Sequence, residues 1–105
     1  MQCLHDWDKD MARFSLTSEA ELELETIIAY SQEKWGRQQA DQAMLLFESS
    51  FKNIALFPES GQLVSGRNNI YQKPVARMPY WIIYEPVLKQ DVVMVIQIIH
   101  TKRNW

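Results

Sequence analysis

The chain has 105 residues, of which 47% are hydrophobic and 23% charged, and its net charge is −2. This length and composition predict a single globular domain with one hydrophobic core. A single cysteine, Cys3, excludes an internal disulfide and a cysteine-based zinc site. No apolar run reaches the ~20 residues that span a bilayer, and no glycine-rich phosphate loop or cluster of metal ligands is visible. We therefore expect a cytoplasmic protein with no metal and no cofactor.

Charge is distributed unevenly along the chain. Residues 1–58 hold five Lys and Arg against ten Asp and Glu, whereas residues 59–105 hold six against three. One interpretation is that the helices carry solubilising glutamates and the strands do not. The other is that the C-terminal half contacts an anionic partner.

The N-terminal part is predicted to be an extension and a short strand, followed by the start of a helix. Residues 1–10 show no periodicity and are predicted to be a loose extension, with Met11 as an alternative start of a single domain over residues 11–105. Residues 12–16 alternate in polarity, which predicts a short strand. Ser18 is predicted to cap the first helix, because Glu21, three residues later, completes a capping box.

Two amphipathic helices follow. Apolar or small residues recur every three or four positions in two stripes, which are Ala20, Leu24, Ile27, Ile28, Ser31 and Trp35, and then Ala40, Ala43, Met44, Phe47, Phe51 and Ile54. Gly36 separates the stripes, so we expect the first helix to end at Trp35 and the second to begin near Arg37. The result is a helical hairpin of about 17 and 21 residues.

Three strands are predicted in the remainder, at residues 70–77, 80–85 and 92–100, after a loop at residues 58–69. Pro74 places the first of them at a sheet edge or moves its start to near Val75. From Val92 to Ile99 seven of eight residues are apolar, which predicts a central strand covered on both faces. The order β-αα-βββ is an α+β fold with the helical hairpin on one face of a mostly antiparallel, four-stranded sheet.

Several segments, taken in order, match a known pattern. They are Leu-Thr-Ser-Glu-Ala-Glu-Leu-Glu-Leu, Ile-Ile-Ala-Tyr-Ser-Gln-Glu-Lys-Trp-Gly, Leu-Phe-Pro-Glu-Ser-Gly, Arg77-Met-Pro-Tyr80-Trp-Ile-Ile-Tyr84 and Val-Ile-Gln-Ile-Ile-His100-Thr-Lys-Arg103. Over residues 11–105 the chain resembles the RelE/ParE superfamily of toxins from bacterial type II toxin–antitoxin (plasmid stabilisation) modules. The resemblance implies a growth-inhibiting toxin neutralised by a cognate antitoxin in a hetero-oligomer.

The superfamily divides by target. RelE-like members cleave mRNA on the ribosome, whereas ParE-like members act on DNA gyrase without ribonuclease residues. The long hairpin, the closing residues 100–105 and the slightly acidic charge make this chain more similar to the ParE branch, since an acidic protein docks poorly on ribosomal RNA. A RelE-like endoribonuclease and a toxin-like module without toxicity remain the alternatives.

A metal-independent ribonuclease needs an acid or base and cations for phosphate charge. His100, Arg77, Tyr84 and Arg103 are the candidates for that chemistry, and His100 is the natural acid or base. Three of them also have a structural interpretation: His100 as a strand-end histidine, Arg77 as an arginine covering a sheet edge and Tyr84 as a sheet-packing tyrosine.

If the chain is a binding protein, the basic C-terminal half is the predicted contact for the target or the antitoxin. The candidate residues are Lys73, Arg77, Lys102, Arg103 and Trp105. Trp105 is included because a terminal tryptophan is hard to bury unless a partner covers it.

Overall fold

In a computed structural model, the residues that can be described are 13–87 and 92–101. The elements are β1 (Phe14–Leu16), α1 (Ser18–Trp35), α2 (Arg37–Leu56), β2 (Gln62–Leu63), β3 (Tyr71–Pro74), β4 (Tyr80–Val87) and β5 (Val92–His100). The predicted helical hairpin is confirmed, and so is its break at Gly36, whose φ of 94° is a conformation that glycine adopts readily. The proposed extension at residues 1–10 lies outside the described residues.

The strands form one sheet in the order β1-β5-β4-β3-β2. β1 runs parallel to β5, and the other described neighbours are antiparallel. The α+β class is confirmed, but the described sheet has five strands where four are predicted, because the loop after α2 contributes the short strand β2. Pro74 ends β3 and lies beyond the part of β3 that pairs with β2. Its missing N–H therefore removes no hydrogen bond between these two strands.

The central strand β5 lies between β1 and β4, as its composition predicts. The expectation that both of its faces are covered is wrong, since Met94 and Ile96 are only half-buried. A β-bulge explains the continuous apolar run. Ile83 pairs with Gln97 and Tyr84 with Val95, so Ile96 has no partner in β4 and the alternation of side chains shifts by one residue.

The core lies between the hairpin and the sheet. Phe47, Phe51 and Ile54 of α2 are fully buried and pack with β-strand residues such as Val95. The rings of Phe14 and Phe51 are 5.3 Å apart and tilted by 43°. The apolar stripe of α2 is therefore core, as its spacing predicts.

The start of α1 differs by one residue from the prediction. The cap is Thr17, not Ser18, because the Thr17 hydroxyl accepts a hydrogen bond from the Ala20 N–H at 3.1 Å. The same hydroxyl donates to the Ile96 carbonyl at 2.9 Å, and the Thr17 N–H donates to the Val95 carbonyl at 3.0 Å. Contacts with β5 thus fix the first residue of the helix.

Candidate functional site

His100 is the last residue of β5 and pairs with Tyr80, the first residue of β4. Their rings meet edge to face, with centroids 5.4 Å apart and an interplanar angle of 78°. Both side chains are half-buried. Burial raises the pKa of the Tyr80 hydroxyl above its ordinary value, with a further contribution from neighbouring Tyr30. This end of the sheet therefore carries an aromatic pair that is partly open to solvent.

Arg77 lies in the tight turn that joins β3 to β4. The Met78 N–H donates to the Val75 carbonyl at 3.2 Å, and Arg77 has a φ of 68° while Ala76 keeps a negative φ. This is the arrangement of a type II turn, in which the third position favours glycine. An arginine there costs about 1–2 kcal/mol, because its Cβ crowds the backbone in the left-handed region.

Arg77 and His100 share one depression, which we call the hairpin–turn depression. It has a volume of about 670 Å³ and lies between the tip of the helical hairpin and the β3–β4 turn. Tyr30 and Trp35 line it from α1, Gln39 and Gln42 from α2, and Arg77, Tyr80 and His100 from the sheet side. No aspartate or glutamate is among the described residues that line it.

Trp35 and Tyr30 form the helical side of this depression. Trp35 is 59% exposed, although its place in the apolar stripe of α1 predicts packing at the helix turn. The two rings lie edge to face, 6.0 Å apart, and the Lys34 ammonium lies 5.8 Å from the centre of the Tyr30 ring. The helical side of the depression therefore carries two aromatic rings that are more than half exposed.

A second depression of about 570 Å³ adjoins the first along the outer edge of β5. The two share Ile27, Tyr80 and His100, and Leu22, 64% exposed, lines the far part. Glu23 binds the backbone of this edge, since its carboxylate accepts a hydrogen bond from the Ile98 N–H at 2.7 Å. The apolar surface therefore continues along most of α1 but ends at a carboxylate.

Tyr84 lies elsewhere in the structure and is fully buried. Its hydroxyl donates to the Pro58 carbonyl at 2.8 Å and accepts from the Gly61 N–H at 3.0 Å, and its ring stacks on Tyr71 at 5.5 Å. Burial raises its pKa above the ordinary value, more than the hydrogen bond from Gly61 lowers it. The hydroxyl ties the loop after α2 to the sheet.

Lys73 is on β3, near the same loop. Its ammonium donates to the Asn53 side-chain carbonyl at 2.6 Å and to the Ser60 hydroxyl at 2.9 Å. These contacts join α2, the loop and β3. Lys73 thus serves to hold the loop in place in this structure.

Of the residues singled out from the sequence, the structure brings together Arg77 and His100 but places Tyr84 and Lys73 at a different site. Lys102, Arg103 and Trp105 lie outside the described residues. Within residues 13–87 and 92–101, no group of three or more His, Cys, Asp and Glu has the arrangement of a metal site. No helix in this part of the chain is long and apolar enough to cross a membrane.

The family profile described as ParE toxin of type II toxin-antitoxin system, parDE, matches residues 14–105. The chain belongs to the ParE toxin family. A search of curated proteins finds none that matches this ParE-family chain.

Solved structures share the fold of this ParE-family protein at low sequence identity. The chromosomal ParDE toxin–antitoxin system from P. aeruginosa aligns with a TM-score of 0.71 and 15% identity, over 86% of this chain and 96% of that chain. The isolated E. coli RelE toxin aligns at 0.59 and 18%, over 89% and 87% respectively. The toxin–antitoxin complex of E. coli RelBE gives 0.59 and 18%, over 88% and 99%. These likenesses confirm the RelE/ParE fold.

The sequence analysis missed Tyr30, Gln39 and Gln42 as residues of the depression and placed Trp35 in the apolar stripe of α1. One signal was available. The stripe of α1 continues to Trp35, immediately before Gly36, which places this tryptophan at the tip of the hairpin.

Proposed function

We propose that this ParE-family chain is a toxin that inhibits DNA gyrase in the cytoplasm and is neutralised by a cognate antitoxin, as part of a plasmid-stabilising type II module. The observation that carries the choice of a non-enzymatic inhibitor is the position of Tyr84. Its hydroxyl is buried and engaged by Pro58 and Gly61, so it can neither stack on a nucleobase nor donate a proton to one. The family profile and the net charge of −2 support the same choice.

An antitoxin partner is supported by the structural likeness to RelE in its complex with RelB and to the ParDE system. It is also supported by exposed apolar side chains along α1, namely Leu22, Tyr30 and Trp35. A contiguous apolar surface of this kind is typical of proteins that are held in a complex.

The test for the target is DNA supercoiling by purified gyrase at micromolar concentrations of the chain. We expect inhibition, and we expect that the antitoxin encoded in the adjacent reading frame prevents it when it is mixed with the chain beforehand. Unchanged supercoiling would exclude gyrase as the target, and induced expression without growth arrest would identify a toxin-like module that only binds its partner.

The alternative function is a RelE-like, ribosome-dependent mRNA interferase, which the shared location of Arg77 and His100 favours. It predicts translation-dependent mRNA cleavage that is lost in His100→Ala and in Arg77→Ala. Cleavage that persists in both variants would remove this mechanism, and an absence of cleavage in the wild type would remove the activity.

A further inference from the structure

We infer that the hairpin–turn depression binds an acidic segment with apolar flanks, carried by the antitoxin, and that Arg77 pairs with a carboxylate of that segment. The inference rests on the proposed function for the existence of an antitoxin. It adds the place of contact, the chemistry of the segment and the residue that recognises it.

The charge of the depression is the first argument. Helix α1, which forms one side of it, is acidic, since it carries Glu19, Glu21, Glu23, Glu25 and Glu33 against Lys34 alone. Yet no carboxylate is among the described residues that line the depression, and the polar residues that α2 contributes are Gln39 and Gln42. Arg77 is exposed there, and within the described part of the chain no carboxylate pairs with it. A cation in a depression that lacks anions is complementary to an acidic ligand.

The backbone at Arg77 is the second argument. The type II turn would be more stable with glycine at this position, where φ is 68°. The turn itself does not need the arginine side chain, because its hydrogen bond is made by the backbones of Val75 and Met78. A residue that is held in a disfavoured conformation and lines a depression points to a role for its side chain in binding.

The aromatic wall is the third argument, and it decides the class of ligand. Trp35 and Tyr30 line the same depression as Arg77, and more than half of the surface of each is exposed. Aromatic and arginine side chains around a pocket are the residues that dominate affinity between proteins. The apolar flanks of the segment cover Trp35 and Tyr30, while its carboxylate accepts hydrogen bonds from the guanidinium of Arg77.

The experiment compares Arg77→Gly with wild type in two measurements, thermal unfolding and the Kd for the purified antitoxin by calorimetry. Glycine adopts a φ of 68° without strain, so the Tm of Arg77→Gly rises by a few degrees. Loss of the charge-assisted pair weakens antitoxin binding by roughly tenfold to hundredfold. A purely structural arginine would show the gain in Tm with an unchanged Kd, and that result would overturn the inference.

Two matched controls accompany the test. Arg67→Ala removes another exposed arginine, and Leu45→Ala removes an apolar side chain that is 60% exposed, close to the 59% of Trp35. Neither residue lines the depression. Both controls keep the wild-type Kd, whereas Trp35→Ala weakens binding without lowering Tm. If Arg67→Ala weakens binding as much as Arg77→Gly, general charge attraction replaces the proposed pair.

Charge reversal identifies the partner residue. Arg77→Glu abolishes binding, and one acidic residue of the antitoxin, changed to arginine, restores it. An Arg77→Gly variant that binds the antitoxin normally but no longer inhibits gyrase would assign the depression to the target and overturn the inference. A wild-type chain that binds no antitoxin would instead contradict the proposed function, so the two failures are distinguishable.

Discussion

The carboxylate of Glu23 accepts a hydrogen bond from the backbone N–H of Ile98 at 2.7 Å, across 75 residues of sequence. β1 pairs with β5 only as far as Val95, so the outer edge of β5 is uncovered beyond that point. In place of a strand, a side chain from the N-terminal half of α1 accepts a hydrogen bond from the backbone of this edge. The contact also hinders pairing of the edge with another chain.

Glu23→Ala should therefore destabilise the protein. The buried Ile98 N–H loses its acceptor, and we expect a loss of about 1–3 kcal/mol in the free energy of unfolding. Chemical denaturation measures the effect, and amide exchange at Ile98 should accelerate. Glu25→Ala is the matched control, because Glu25 is exposed on the same helix. Equal stability of the two variants would show that the contact contributes nothing.

Thr17 and Ser18 offer a direct comparison of two adjacent hydroxyl residues. Thr17→Ala removes the cap of α1 and the bond to the Ile96 carbonyl, so we expect a loss of about 1–3 kcal/mol. Ser18→Ala should change the free energy of unfolding by less than about 0.5 kcal/mol, since Ser18 is exposed. A larger loss for Ser18→Ala, measured by urea denaturation, would restore Ser18 as the cap.

Tyr84→Phe should loosen the loop after α2. The substitution leaves the Pro58 carbonyl and the Gly61 N–H without the hydroxyl that joins them, at a cost of about 1–3 kcal/mol. Tyr71→Phe is the control, because it keeps the stacked pair of rings and should cost less. Limited proteolysis within residues 58–69 should be faster in Tyr84→Phe only. Equal rates in the two variants would show that the Tyr84 hydroxyl does not hold the loop to the sheet.

The stability of the protein should fall at high pH. Burial raises the pKa of Tyr84 above the ordinary 10.0, so the folded state keeps this proton at a pH where the unfolded state has lost it. Since the unfolded state then binds fewer protons, the free energy of unfolding decreases as pH rises above about 10. Urea denaturation between about pH 8 and about pH 11 should show a steeper decline for wild type than for Tyr84→Phe. Parallel curves would exclude Tyr84 as a source of the effect.

The elements of the fold were predictable because they depend on short-range geometry. A three- and four-residue spacing of apolar side chains gives a helix wherever it occurs, and Gly36 ends α1 because few other residues adopt its φ of 94°. The strand at residues 92–100 was predictable for the same reason, since β-branched residues dominate it. The two-residue strand β2 was too short to leave a pattern.

The sequence by itself determined the hairpin, the strand-forming segments and two members of the hairpin–turn depression, Arg77 and His100. Only the tertiary structure decided that Trp35 lines the same depression, that Tyr84 is buried and that Thr17 caps α1. The physical reason is separation along the chain. Each of these outcomes depends on contacts between residues far apart in sequence. The register of the strands and the bulge at Ile96 set those contacts, and neither can be predicted from the local spacing of residues.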